Sequence, residues 1–195
     1  MSASQAPFLK IPFLERDIDI EKRPDGTLLV RNKVPLKPIG PPIPHLLHRA
    51  AQTRPDHTWL AQRDEQSGEW RRLHYGEAQR QVNAVTQALL DLRAEGRPVM
   101  VLSGNTPEHA VIELAAMQAG MPYAPITPAY SLLSTDHVKL KSIAALLDPA
   151  VVFVQKGAQF GAALRALDLS RATVIHVDDP CEGIASLAWA DLLQT

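Results

Sequence analysis

The chain has 195 residues, 46% of them hydrophobic and 21% charged, with a formal net charge of -1. That suits one packed domain carrying an N-terminal appendage and excludes wholesale disorder. With no basic surplus to neutralise phosphates, nucleic-acid binding is excluded as well.

The single cysteine, Cys181, can form neither an internal disulfide nor a thiolate metal cluster. The opening MSASQAPFLKIPFLERD lacks the apolar core of a signal peptide, and no stretch reaches the length of a bilayer span. A cytoplasmic protein with no membrane partner is expected. Residues 1–16 carry no clear pattern and are expected to be mobile. Next, Ile18 and Ile20, then Leu28 and Val30, alternate with polar residues around Pro24-Asp25-Gly26, which predicts a β-hairpin. Pro35, Pro38, Pro41, Pro42 and Pro44 follow. Proline fixes φ and lacks a donor, so this stretch is an extended connector. Residues 1–44 are thus an extension and residues 45–195 the main domain.

A short helix over about His45–Thr53 stops at Pro55. Thr58–Arg63 and Glu69–His74 read as the strands of a second hairpin around DEQSG. The strongest helix starts near Tyr75. Ala78, Val82, Val85, Leu89 and Leu92 form one apolar stripe at helical period, and Gly96 suits the C-terminal cap. Strand and helix then alternate. Val99–Leu102 is a strand, and Thr106-Pro107-Glu108 opens a helix to Gln118 with a capping hydroxyl, a first-turn proline and an acid near the positive end of the dipole. Tyr123–Ile126 is a strand, and Ser134 caps a helix carrying Leu140, Ile143 and Leu147. Val151–Val154 is a strand, Ala158–Leu167 a helix and Thr173–Val177 a strand. Repeating strand–helix units predict parallel βαβ crossovers, and continuous apolar strands predict cover on both faces. The expected fold is α/β, doubly wound around a mainly parallel sheet, with an N-terminal β-hairpin appendage.

The segment GMPYAPITPAYSLLSTD places three prolines in or beside a buried strand. Pro122 can open the strand without loss. Pro125 removes a ladder donor, so the strand must be short or near an edge. Pro128 is expected to keep the outgoing chain extended and to delay the next helix. In a doubly wound sheet, ligands sit beyond the carboxyl ends of the strands. Thr127, Pro128, Ala129, Tyr130 and Ser131 are therefore the candidate binding loop. The alternative is a Pro-x-x-Pro docking segment, which requires exposure; the apolar helices on either side argue against it. Ser103-Gly104-Asn105 reads as a turn and cap rather than a hydrolase elbow. His45 and His48 have no carboxylate or cysteine beside them to complete a metal site. His109 reads as surface or second-layer packing, and Tyr75 as a packed ring. Acidic neighbours make Cys181 a poor nucleophile.

AAMQAGMPYAPITPAYS resembles a characteristic segment of the adenylate-forming (AMP-binding) enzymes. WRRLHYGEA resembles their strand-to-helix entry, and VLSGNTPEHAVIELAAMQAG their first Rossmann-like strand and helix. PAYSLLSTDHVKL is most similar to the feruloyl-CoA synthetase branch of the acyl-CoA synthetases. The resemblance implies that residues 45–195 are part of the N-terminal domain of an acid–CoA ligase. In such enzymes a carboxylate attacks the α-phosphate of ATP, and coenzyme A then displaces AMP to give a thioester. ATP, Mg2+, coenzyme A and a small aromatic carboxylate are implied for the complete enzyme. The loop from Thr127 to Ser131 would line the side from which coenzyme A approaches. The family's glycine-rich phosphate loop, of the type TSGTTGxPK, does not occur. Gly157-Ala158-Gln159-Phe160-Gly161 is the nearest spacing and no lysine follows it. The chain is therefore expected to be an N-terminal piece truncated at Thr195, with no catalytic or metal-ligating residue of its own. It should bind no cofactor tightly, and should self-associate through apolar surface. A stand-alone nucleotide- or CoA-binding module, and an interaction protein presenting its proline-rich connector, are the alternatives.

Overall fold

The computed structural model describes residues 17–64, 67–94 and 96–194, so the expectations for residues 1–16 lie outside the described residues. The chain divides into two compact units, Met1–Gly40 and Pro41–Thr195. In the first, β1 (Ile18–Lys22) and β2 (Leu28–Asn32) pair antiparallel with Ile20 opposite Val30. The turn closes as expected from its residues. Gly26 takes φ +86°, and the Asp25 carboxylate accepts the Thr27 amide at 2.9 Å. That hydrogen bond holds the Asp25 carboxyl below its ordinary value.

The second unit opens with α1 (Ile43–Thr53), the antiparallel pair β3 (Thr58–Arg63) and β4 (Trp70–His74), and α2 (Tyr75–Asp91). The apolar stripe of α2 is buried from Ala78 to Leu89. This helix stops before the expected Gly96 cap. Arg93 enters the left-handed region three residues earlier, at φ +49°, while Leu92 stays packed on the core. The alternation then unfolds as β5 (Val99–Leu102), α3 (Pro107–Gln118), β6 (Tyr123–Ile126), α4 (Ala129–Leu132), α5 (Val138–Leu147), β7 (Val151–Val154), α6 (Gly157–Arg165), β8 (Thr173–His176), β9 (Ser186–Ala188) and α7 (Trp189–Leu192).

All five sheet strands are parallel, in the order β6-β5-β7-β8-β9. The chain steps from β5 to β6 on one side, then crosses back over β5 to reach β7. With right-handed crossovers, such a reversal sends the two connecting helices to opposite faces. The two cores show that arrangement. Val99, Val101, Val151 and Phe153 pack with α2, α3 and Trp189 on one face, and Met100, Leu102, Val152 and Val154 pack with α5 and α6 on the other. Period-two alternation divides each strand between the two cores. The sheet is fixed at its entry end by Arg97, whose guanidinium donates to the carbonyls of Asp148, Pro149 and Arg171 at 2.9–3.0 Å and to the Asp148 carboxylate at 3.0 Å.

Three expectations need correction. Pro128 does not extend the chain; it takes φ -54° and ψ -25° and leads into α4. Proline supplies a helical φ at a first turn, where no amide is needed, so it starts a helix as readily as it delays one. The Ser134 hydroxyl does accept a backbone amide, that of His137 at 3.0 Å, yet α5 begins only at Val138. Finally, β9 and α7 escaped the sequence reading, being too short to show a period. Trp189 is buried and meets Phe153 edge-on at a centroid distance of 5.6 Å.

Gly157 gives the sharpest test of this packing. A Cβ there would lie 2.2 Å from the Asp179 carbonyl oxygen, whereas at Gly104 it would meet nothing within 4 Å. Alanine normally stabilises a helix relative to glycine. Here Gly157→Ala should instead cost about 1–3 kcal/mol, and Gly104→Ala about 0.5 kcal/mol or less. Urea unfolding of both variants measures the difference, and equal midpoints would refute the close approach.

Candidate functional site

Because α3, which follows β5, and α6, which follows β7, pack on opposite faces, the loops after β5 and β7 part and leave a crevice beyond the carboxyl ends of those strands. A cavity of about 570 Å³ occupies this place. Its lip is Gly104, Asn105 and Thr106, and its far side is Gln155, Lys156, Gln159 and Phe160 at the β7–α6 junction. Pro128 and Leu132 reach it from the α4 turn, and Asp178 from the loop after β8. The β3–β4 hairpin closes one side with Gln62, Arg63, Asp64 and Arg71.

The hairpin is held there by a two-point ion pair. Arg71 on β4 donates to both oxygens of Glu108, at 2.5 and 3.1 Å, and to the Gln62 side-chain carbonyl at 3.0 Å. Glu108 lies in the first turn of α3, where its charge suits the helix dipole, and its side chain is only 8% exposed. The carboxylate raises the Arg71 guanidinium above its ordinary value. A directed chain of side-chain hydrogen bonds also runs along the strand ends. The Thr106 hydroxyl accepts the His109 amide, capping α3, and donates to the Gln155 side-chain oxygen at 2.9 Å. The Gln155 amide then donates to the Asp178 carboxylate at 3.5 Å. One chain thus links the ends of three neighbouring strands.

The five residues singled out in the loop after β6 separate in space. Pro128 lines the cavity and Thr127 is exposed. Ala129 is half-buried in α4. Tyr130 packs on the second core, with the Lys139 ammonium 5.5 Å from its ring centre. Ser131 is buried, and its hydroxyl has no hydrogen-bond partner among the described residues. Gly104 and Asn105, read as a turn and cap, stand at the lip. The sequence showed no motif for Arg71, Gln155 or Asp178, which meet only when the strands align. His45 and His48 are exposed on α1, and the His48 Nε2 lies 3.0 Å from the Gln52 side-chain amide. Tyr75 is half-buried beneath the Arg54 guanidinium, 5.0 Å from its ring centre.

Beside the lip, burial pushes the Tyr123 hydroxyl up to about 12, and the Glu113 carboxylate adds to the shift. An unfolded tyrosine loses its proton near pH 10. As pH rises from about 10 to 12 the unfolded chain ionises first, so the folded state loses stability across that window. Tyr123→Phe should remove this part of the decline. Denaturation midpoints at pH 9 to 11 (about one unit either side of an ordinary tyrosine) measure it, and parallel curves for both proteins would contradict the burial argument.

No curated protein sequence matches the chain. Among solved structures it is similar to a benzoate CoA ligase from Burkholderia xenovorans LB400, with a TM-score of 0.58 and 19% identity, over 78% of this chain and 28% of that one. It is also similar to Klebsiella oxytoca NpsA in complex with 3-hydroxyanthranilyl-AMSN, with a TM-score of 0.53 and 16% identity, over 78% and 25%. At these identities the likeness concerns the fold, and the chain spans about a quarter of the length of those structures. The family of AMP-binding enzymes matches residues 47–191, from α1 through the whole parallel sheet and into α7. The chain belongs to the AMP-binding enzyme family.

Proposed function

We propose that this chain is the N-terminal part of an ATP-dependent acid–coenzyme A ligase acting on an aromatic carboxylate of the ferulate type in the cytoplasm. We propose also that the 195 residues alone form no thioester. The observation that carries the reading is the family match over residues 47–191, joined to a crevice at the sheet's switch point. The resemblance of PAYSLLSTDHVKL to the feruloyl-CoA synthetase branch supports the acid chosen.

The residues present do not suit ATP phosphates or magnesium. Gly157 and Gly161 lie in α6, where Gly157 closes on the backbone at Asp179 and Gly161 faces Arg165 and Cys181. They serve close packing and form no phosphate cradle. Among the described residues no group of three or more His, Cys, Asp or Glu side chains could hold a metal ion. Charge building up on a phosphate needs preorganised donors and a cation, so no adenylation step is assigned to this chain. The crevice suits coenzyme A better. Pro128, Leu132 and Phe160 offer apolar surface to a pantetheine chain, Asn105, Gln155 and Gln159 offer amides, and Lys156 offers a cation for phosphate. The part of this chain would be to bind and orient that substrate, with Thr127, Ala129, Tyr130 and Ser131 shaping the approach.

Incubated with ATP, magnesium, ferulate and coenzyme A, the 195-residue chain should yield no thioester by thiol-consumption assay. The reading frame extended past Thr195 should yield an aromatic acyl-CoA. Turnover by the short chain would overturn the reading. Saturable coenzyme A binding without any ligase activity in the extended protein would favour a stand-alone binding module.

Self-association belongs to the same reading. Leu133, Val138 and Leu146 are 81%, 60% and 86% exposed, and apolar surface of this kind favours association. Sedimentation should show the average mass rising with concentration, and Leu133→Ser with Leu146→Ser should suppress the rise. A strictly monomeric wild-type chain would count against it.

A further inference from the structure

His109 holds two partners at once. Its Nδ1 lies 2.8 Å from the Gly104 carbonyl oxygen, and its Nε2 is hydrogen-bonded to the Tyr123 hydroxyl. A carbonyl oxygen carries no proton, so Nδ1 must donate. The Tyr123 hydroxyl, pushed up to about 12, keeps its proton at neutral pH and can donate to Nε2. A neutral ring satisfies both bonds in one form only, with its proton on Nδ1.

The Gly104 end of this bridge needs such a hold. Gly104 and Asn105 are exposed, and a Cβ at Gly104 would meet nothing within 4 Å, so no neighbouring side chain packs over Gly104 on that side. Its carbonyl accepts the Ser103 hydroxyl at 2.9 Å, a partner within the same loop, and His109 is the contact that reaches it from α3. Tyr123 anchors the other end on β6. Gly104 and Asn105 line the crevice, and Asn105 also borders an adjoining hollow of about 320 Å³ that His109 lines.

We propose that His109 is a positioning residue. Fixed as its Nδ1–H tautomer between the Gly104 carbonyl and the Tyr123 hydroxyl, it holds the lip at Gly104–Asn105 in the shape that admits a ligand to the crevice. That the ligand is coenzyme A rests on the ligase reading above; the brace itself does not.

Long-range nitrogen–proton correlation spectra of the labelled chain at neutral pH read the tautomer directly. The His109 Nδ1 should appear protonated and Nε2 unprotonated, and Tyr123→Phe should shift the ring toward the Nε2–H form. Asparagine places an amide nitrogen near the position of Nδ1. His109→Asn should therefore keep the Gly104 and Asn105 amide signals in place, whereas His109→Leu should displace them. In the extended protein, His109→Leu should raise the KM for coenzyme A about five-fold, the equivalent of one lost hydrogen bond, with kcat nearly unchanged. His109→Asn should restore most of it. An Nε2–H or doubly protonated ring in the wild-type chain, or lip signals unmoved in His109→Leu, would overturn the proposal. If the extended protein makes no thioester, the ligase reading fails, and the tautomer and lip signals still decide the brace.

Discussion

The crevice exists because β5 has chain neighbours on both of its sides. Its own successor, β6, lies to one side, and β7 lies to the other. Right-handed crossovers then put α3, which follows β5, and α6, which follows β7, on opposite faces, so the loops leading out of these neighbouring strands diverge. The inner strands β5 and β7 bury both faces, which is why they are wholly apolar and entirely buried. Polar chemistry is thereby confined to the strand ends.

The two ends of the sheet differ in kind. At the entry end, Arg97 places one guanidinium among three carbonyls and a carboxylate, a rigid closure with few donors to spare. At the exit end, hydrogen bonds run along side chains from Thr106 through Gln155 to Asp178, and the space beyond them stays open. Arg71 and Glu108 belong to the exit end. Their pairing joins a separate two-stranded hairpin to the first turn of α3 and makes the hairpin a wall of the crevice. A binding site built this way has rigid strands behind it and adjustable side chains in front.

The three prolines of the β6 segment show how local chemistry and context divide the outcome. Pro125 lacks a ladder donor, and β6 is an edge strand, so that missing donor is tolerated. Pro122 lends its carbonyl to the Val99 amide at 2.8 Å, just before the paired residues of β6. Pro128 went the other way, into α4, because the same fixed φ serves an extended chain and a helical first turn equally. The residues expected to form one loop are consequently divided among the cavity, the second core and the surface.

Periodicity and turn chemistry in the sequence determined the β1–β2 hairpin, the stripe of α2 and the boundaries of β5, β6 and β7. Those features depend on neighbours a few residues apart, and the family resemblance rests on the same local segments. Strand order was not legible. Each βαβ unit has the same local pattern whether the next strand is added on the left or the right, so only packing chose the reversal at β5. The crevice inherits that choice. Arg71 and Glu108 are 37 positions apart, and Thr106 and Gln155 are 49 apart; no local spacing marks such pairs. His109 looked like an ordinary second-layer residue for the same reason. Its role depends on Gly104 and Tyr123 lying on either side of one ring, which the sequence lists only as separate letters and the tertiary structure alone brings together.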